Sequence, residues 1–247
     1  VTVTGTGTAS SGAIQNVSAN NAITGTVTLA TSASSIVSAT GGDTLTLGNI
    51  ALDSFNLTFD GVGNATVGGV ISETGTGTVT KVGTGTLRYA GSSANTYTGV
   101  TTINAGTLEL AKDAGTNAIA GDITVGDGTA TDTLRLINAN QIADTSDVSL
   151  SSSGVLDLND QAETIAQLTG SGTVMFGATA GNILTVGDGA TDFTFGGTFT
   201  EAGGLTKTGT GRLTLTNSGS DFTGVTTVST GTLDLTVAAL GASGAGN

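Results

Sequence analysis

The side chains that most often carry chemistry are absent from this sequence or widely scattered in it. There is no His and no Cys, and six Lys+Arg stand against 19 Asp+Glu. Acid–base catalysis, including glycoside cleavage, needs two or three carboxylates, or a base with its partner, converging in a groove. The basic residues are Lys81, Arg88, Lys112, Arg135, Lys207 and Arg212. Lys81 and Lys207 hold the same position in an internal repeat, which fits a structural task, since a catalytic residue has no need to recur. The densest acidic group is Asp157, Asp160 and Glu163. It is expected to be a solvated loop between strands, with an acid/base pair the lesser reading. The chain is therefore not expected to be an enzyme.

Metal binding has one candidate set. Gly126-Asp127-Gly128 with Asp132, and Gly187-Asp188-Gly189 with Asp192, could offer oxygen ligands to calcium, a hard cation that takes six to eight of them. Asp-Gly also makes a turn by itself, because Gly tolerates positive φ. Tandem Gly-Gly-x-Gly-x-Asp, the signature of calcium-binding solenoids, does not occur here. Turns are the expected reading and calcium the minority one; no other cofactor is implied. Thr2-Val3-Thr4 and Thr206-Lys207-Thr208 could belong to flat ranks that order water, but along the sequence such pairs do not return at a fixed spacing. Gly75-Thr76-Gly77 lacks the helix and the Lys-Ser/Thr pair of a phosphate loop. Tyr89, Tyr97 and Phe222 are expected in the core, with stacking on a carbohydrate the lesser role.

A net charge of −13, with the six basic residues unclustered, argues against nucleic acid and against an anionic membrane surface. No run of about 18 apolar residues could cross a membrane as a helix. Without Cys, no disulfide staples the fold.

The elements that must position these residues are short strands. Gly numbers 41, Pro is absent, aromatics are 4% and charged residues 10%. Thr and Val suit a pleated surface, Gly supplies the corners, and without Pro no N–H is missing from a ladder. Apolar residues alternate in Leu134/Leu136, Leu156/Leu158, Leu184/Val186, Phe193/Phe195, Leu213/Leu215 and Leu233/Leu235, so one strand face is apolar and the other polar. Residues 81–110 recur at 207–235, with Lys81 matching Lys207, Leu87 matching Leu213, Tyr97 matching Phe222, and Gly99-Val100-Thr101-Thr102 matching Gly224-Val225-Thr226-Thr227. The related stretches extend over 68–115 and 196–241. A transmembrane barrel would need aromatic girdles. An immunoglobulin-like sandwich would lack the short internal echoes and has no Trp or Cys pair to bury. A β-solenoid accommodates the whole pattern as one continuous segment over 1–247. At about 20–25 residues per coil it makes about ten to twelve coils, and at about 4.8 Å per coil a rod of about 50 Å.

Gly204-Leu205-Thr206-Lys207-Thr208-Gly209-Thr210-Gly211, then Leu213-Thr214-Leu215, Phe222-Thr223-Gly224-Val225-Thr226-Thr227 and Gly231-Thr232-Leu233, resembles the autotransporter-associated β-strand repeat of bacterial passengers and large adhesins. Residues 79–110 resemble it equally. The likeness extends over 45–241, and over 1–44 in composition only. It implies an all-β, right-handed parallel β-helix exported to the bacterial surface.

The chain opens Val1-Thr2-Val3-Thr4 without Met and reads as part of something longer. Neither end reads as a cap: the front is strand-like, and Leu240 to Asn247 is a small-residue tail. The expected partner is a continuation of the chain or end-to-end self-association, with surface glycans as a further candidate. The expected function is a structural extracellular rod in a surface protein or filament. An adhesin that binds a host surface or polysaccharide is the alternative, and a polysaccharide-acting enzyme the weaker one.

Overall fold

The computed structural model describes residues 1–5, 7, 12–31, 34–38 and 41–236. Within them the chain winds as a three-sided parallel β-solenoid. One sheet has eleven strands, from Ile14–Asn16 to Thr232–Leu235, and a second has nine, from Asn21–Ile23 to Thr198–Thr200. The third side consists of two four-stranded sheets, one from Thr2–Val3 to Ile71–Ser72, the other from Glu163–Ile165 to Thr226–Val228. Every pairing among the described strands is parallel, each strand against its counterpart one winding away, as in Leu57↔Val79↔Thr101↔Ile123. Eleven windings fall inside the range expected from the sequence. Their ten spacings of about 4.8 Å give a rod of about 48 Å. Among the described residues no helix is long and apolar enough to cross a membrane.

The alternation read in the sequence sets the inside and the outside. Leu134, Leu136, Leu156, Leu158, Leu184, Val186, Phe193, Phe195, Leu213 and Leu215 are all buried. They join one apolar cluster that runs from Val3 to Phe222. Leu233 is half-buried and Leu235 exposed, because the winding they belong to is the last one described. Tyr89, Tyr97 and Phe222 lie in the core as expected. Phe222 closes an aromatic column with Phe199 and Phe176, at ring-centroid distances of 5.7 and 5.6 Å. Rings offset in this way gain attraction beyond their burial.

Winding length is not constant. The step between stacked positions is 22 residues from Thr58 to Thr80, 25 from Thr124 to Ser149 and 20 from Ser149 to Thr169. The corners absorb the difference. The tail from Leu240 to Asn247 lies outside the described residues, as does the repeat after residue 236.

Candidate functional site

The chemistry-bearing residues fall into four places: the corners, the third side, the outer faces, and one groove.

At the corners, three of the six basic residues turn inward. In Val79–Lys81 the alternation in–out–in points Lys81 to the interior. Its Nζ donates to the carbonyls of Gly83 in its own corner and of Ala105 one winding on. Lys207 is fully buried at the end of Gly204–Lys207, and its Nζ donates to Thr208 O and Gly209 O. Lys112 is also buried and donates to Gly69 O and Ala90 O at 3.1 Å. These ammonium groups satisfy corner carbonyls that would otherwise be buried without donors. Burial lowers all three lysines from the ordinary value, Lys81 to about 8, with Asp60 and Asp132 opposing the shift there. The matching of Lys81 and Lys207 is thus structural, as the sequence suggested.

The two repeat copies do not occupy the same sides. The first lays Val79–Lys81 and Thr101–Ile103 in the eleven-stranded sheet, with Thr86–Gly91 and Gly106–Lys112 in the nine-stranded one. The second lays Gly204–Lys207 and Thr226–Val228 on the third side, with Arg212–Leu215 and Thr232–Leu235 in the eleven-stranded sheet. In each copy strand, corner and strand stack on themselves one winding later, Lys81 over Ile103 and Lys207 over Val228. Residues 79–110 and 205–235 match the passenger-associated-transport-repeat. In this chain the passenger-associated repeat is therefore two stacked corners, usable at more than one corner of the solenoid. No curated protein and no solved structure matches the chain.

On the third side, the expectation for the acidic group needs correction. Glu163 is not in a solvated loop: it is 1% exposed, at an inward position of Glu163–Ile165. Its Oε2 accepts from Gln141 N at 2.7 Å and Ile142 N at 3.2 Å, and its Oε1 from Thr164 N at 3.0 Å. Burial pushes its carboxyl up to about 7 against those three donors, and Asp144 adds to the rise. Asp157 is half-buried and paired with Arg135 at 3.4 Å. Asp160 is exposed and accepts from Thr179 N. The three do not form one group.

The calcium candidates are divided between inside and outside. Asp127 is exposed and accepts from Thr129 N at 2.8 Å and Thr129 Oγ1 at 2.7 Å, a turn closed on itself. Those bonds hold its carboxyl below the usual range. Asp188 and Asp192 are exposed, and Asp192 accepts from Arg212 N. Asp132 is fully buried; its Oδ2 accepts from Ser153 Oγ at 2.7 Å, and its Oδ1 has no hydrogen-bond partner. Among the described residues no three His, Cys, Asp or Glu side chains converge as a metal site.

The outer faces carry a file of single hydroxyls, separate from the pairs Thr2/Thr4 and Thr206/Thr208. Thr58, Thr80, Thr102, Thr124, Ser149 and Thr169 stand in register on six successive strands of the eleven-stranded sheet, and Thr194 and Thr214 pair further along. Hydroxyls return once per winding there, every 22 residues from Thr58 to Thr124 and then after 25 and 20. Beside them on the nine-stranded sheet runs an alternating-charge file in register, Arg88, Glu109, Arg135 and Asp157, with Arg88 and Glu109 at 2.9 Å.

The groove lies outside the third side. It has a volume of about 300 Å³ and runs between Ile183 and Val225, with Gly204 between them in the ladder and the Thr206 and Thr227 hydroxyls beside it. Ile183 and Val225 are 42% and 76% exposed, and no charged residue lines the groove.

Proposed function

We propose that this chain is a load-bearing rod in an exported bacterial surface protein, working through its shape and its resistance to unfolding. The observation that carries this reading is the eleven-stranded parallel sheet that stacks without interruption from Ile14 to Leu235 over one apolar interior. Such a body is held by backbone hydrogen bonds along its length and by burial across it. Its passenger-associated repeats are a second support, since that family is one of secreted and surface proteins. Imaging of the purified chain, with trypsin and proteinase K digestion, tests the proposal. The expected result is elongated particles near 48 Å that withstand digestion under native conditions. Compact or irregular particles that are readily degraded would overturn it.

The groove between Ile183 and Val225 favours a second reading, in which the rod also binds a neutral, partly apolar group on a host surface or polysaccharide. Ile183→Asp would abolish glycan binding and leave the rod intact; binding indifferent to that change would remove the reading.

A further inference from the structure

The third side is interrupted where the other two are continuous. Between its two four-stranded sheets lie three windings, at residues 95–97, 118–119 and 141–142. Among the described residues there, the regular ladder gives way to the single bridge Ile119↔Ile142 and a few backbone bonds such as Thr96 N to Ile71 O. Buried side chains take over the missing places. Asn95 accepts from Ile71 N through Oδ1 at 2.9 Å and donates from Nδ2 to Ala118 O at 2.7 Å, reaching both neighbouring windings. Gln141 accepts from Lys112 N at 2.9 Å and donates to Asp113 O and Ala139 O. Glu163 begins the second sheet and ties it back to the seam through Gln141 N and Ile142 N. Asn95, Gln141 and Glu163 are all at most 3% exposed. Only Glu163 among them can take up or release a proton.

We propose that this side-chain seam is a built-in, proton-controlled opening point of the rod, in which Glu163 sets how readily the middle windings part from the second sheet. The charged groups around Glu163 leave it no compensating cation. Asp144, on the winding before it, acts in the same direction as burial. Lys112, two windings back, turns its ammonium to Gly69 O and Ala90 O. On its own winding Asp157 is engaged by Arg135, and Asp160 by Thr179 N. The following strand, Ile183–Val186, sets Leu184 against it and carries no charge. An ionised Glu163 is thus a buried anion held by three N–H groups alone. Opening the seam returns it to water.

The sign follows from linkage. The closed seam holds the Glu163 proton up to about pH 7, whereas an opened, hydrated carboxyl holds it only to the ordinary glutamate value of 4.5. The closed state therefore binds more protons between those values, and closure weakens as pH rises through them. From pH 5 to pH 8 the opening equilibrium grows by about 50- to 100-fold.

Hydrogen–deuterium exchange of the full chain at pH 5, 6.5 and 8, corrected for intrinsic exchange rates, reads this opening locally. Peptides covering 139–146 and 162–166 are expected to show the rise in opening, and peptides from 44–67, where the ladders are regular and which lie outside the seam, are not. Glu163→Gln keeps an acceptor oxygen, cannot ionise, and is expected to flatten the pH dependence of the seam. A seam whose opening does not change with pH in the native chain overturns the proposal. So does an equal rise in 44–67, or an undiminished slope in Glu163→Gln. The comparison of segments within the native chain decides the matter even if the variant does not fold.

Discussion

Replacing Gly99 by Ala tests why the repeat's Thr-Gly-Val-Thr-Thr unit contains glycine at all. Neither Gly99 nor Gly224 sits at positive φ, so Ala meets no conformational barrier there and would reduce the freedom of the unfolded chain, a gain of about 0.4–1 kcal/mol. The obstacle is the neighbouring winding. A Cβ on Gly99 would run into the Gly77 carbonyl, and one on Gly224 into the Gly203 carbonyl. Both obstacles are backbone, which cannot rotate aside, so the windings must separate. Forcing extra atoms into a packed interior costs about 1–3 kcal/mol. Lengthening the adjacent ladder bonds, Val79 N to Val100 O or Leu205 N to Val225 O, adds about 1 kcal/mol each. The net expectation is a loss of about 1–4 kcal/mol for Gly99→Ala and Gly224→Ala. Gly189 is the control: it is not at positive φ and its Cβ would meet nothing within 4 Å. Gly189→Ala should be neutral or mildly stabilising. Urea unfolding followed by circular dichroism compares the three by midpoint and slope. A Gly99→Ala chain as stable as Gly189→Ala would show that close stacking does not select glycine in the repeat.

Three further outcomes follow from the same structure. Leu156→Ala empties a fully buried position at the centre of the rod and should cost about 3–5 kcal/mol, read as a lowered urea midpoint. Burial depresses Lys81 from 10.5 to about 8, so the unfolded chain binds more protons between those values, and stability should climb as pH rises through that window; midpoints at pH 7.5 and 9.5 measure the climb, and Lys81→Met should reduce it. Arg88 and Glu109 pair on a partly exposed surface; Arg88→Ala should cost less than about 1 kcal/mol, and the cost should shrink further at 1 M salt.

Much of the fold was legible in the sequence because alternation and glycine-bearing corners are local signals. The paired Leu, Val and Phe positions predicted the core, and the eleven windings fall within the predicted range. The same signal was sufficient to find the buried ionisable groups, had its phase been followed through them. Val79-Thr80-Lys81, Asp132-Thr133-Leu134 and Glu163-Thr164-Ile165 each put a charged residue in step with apolar neighbours. Spacing by itself misled: Asp157, Asp160 and Glu163 lie close in sequence, yet a strand start turns the third of them inward. The threonine file was legible in part. Thr58, Thr80, Thr102 and Thr124 return every 22 residues, but steps of 25 to Ser149 and 20 to Thr169 break that period, and only the register of stacked windings joins all six. The groove at Gly204 likewise depends on which residues become neighbours across windings, which no linear reading supplies.

The offset between the two passenger-associated repeats carries one more consequence. Lys81 and Lys207 are 126 residues apart, while stacked Thr58 and Thr80 are 22 apart; the offset is about five windings and two sides rather than a whole number of windings. A repeat that encoded a complete coil could not be displaced in this way without setting its apolar faces against the wrong neighbours. A repeat that encodes a corner can, because each corner presents the same local problem: a strand ends, buried carbonyls need donors, and the next strand must begin with its apolar residues inward. Lys-x-Gly-Thr-Gly-x-Leu meets all three demands, with the lysine supplying the donors and Leu87 or Leu213 resuming the core. The side on which a copy falls is then set by the chain length between copies. Inserting or deleting one side's worth of residues between them should move a repeat to another corner and leave its internal hydrogen bonds unchanged.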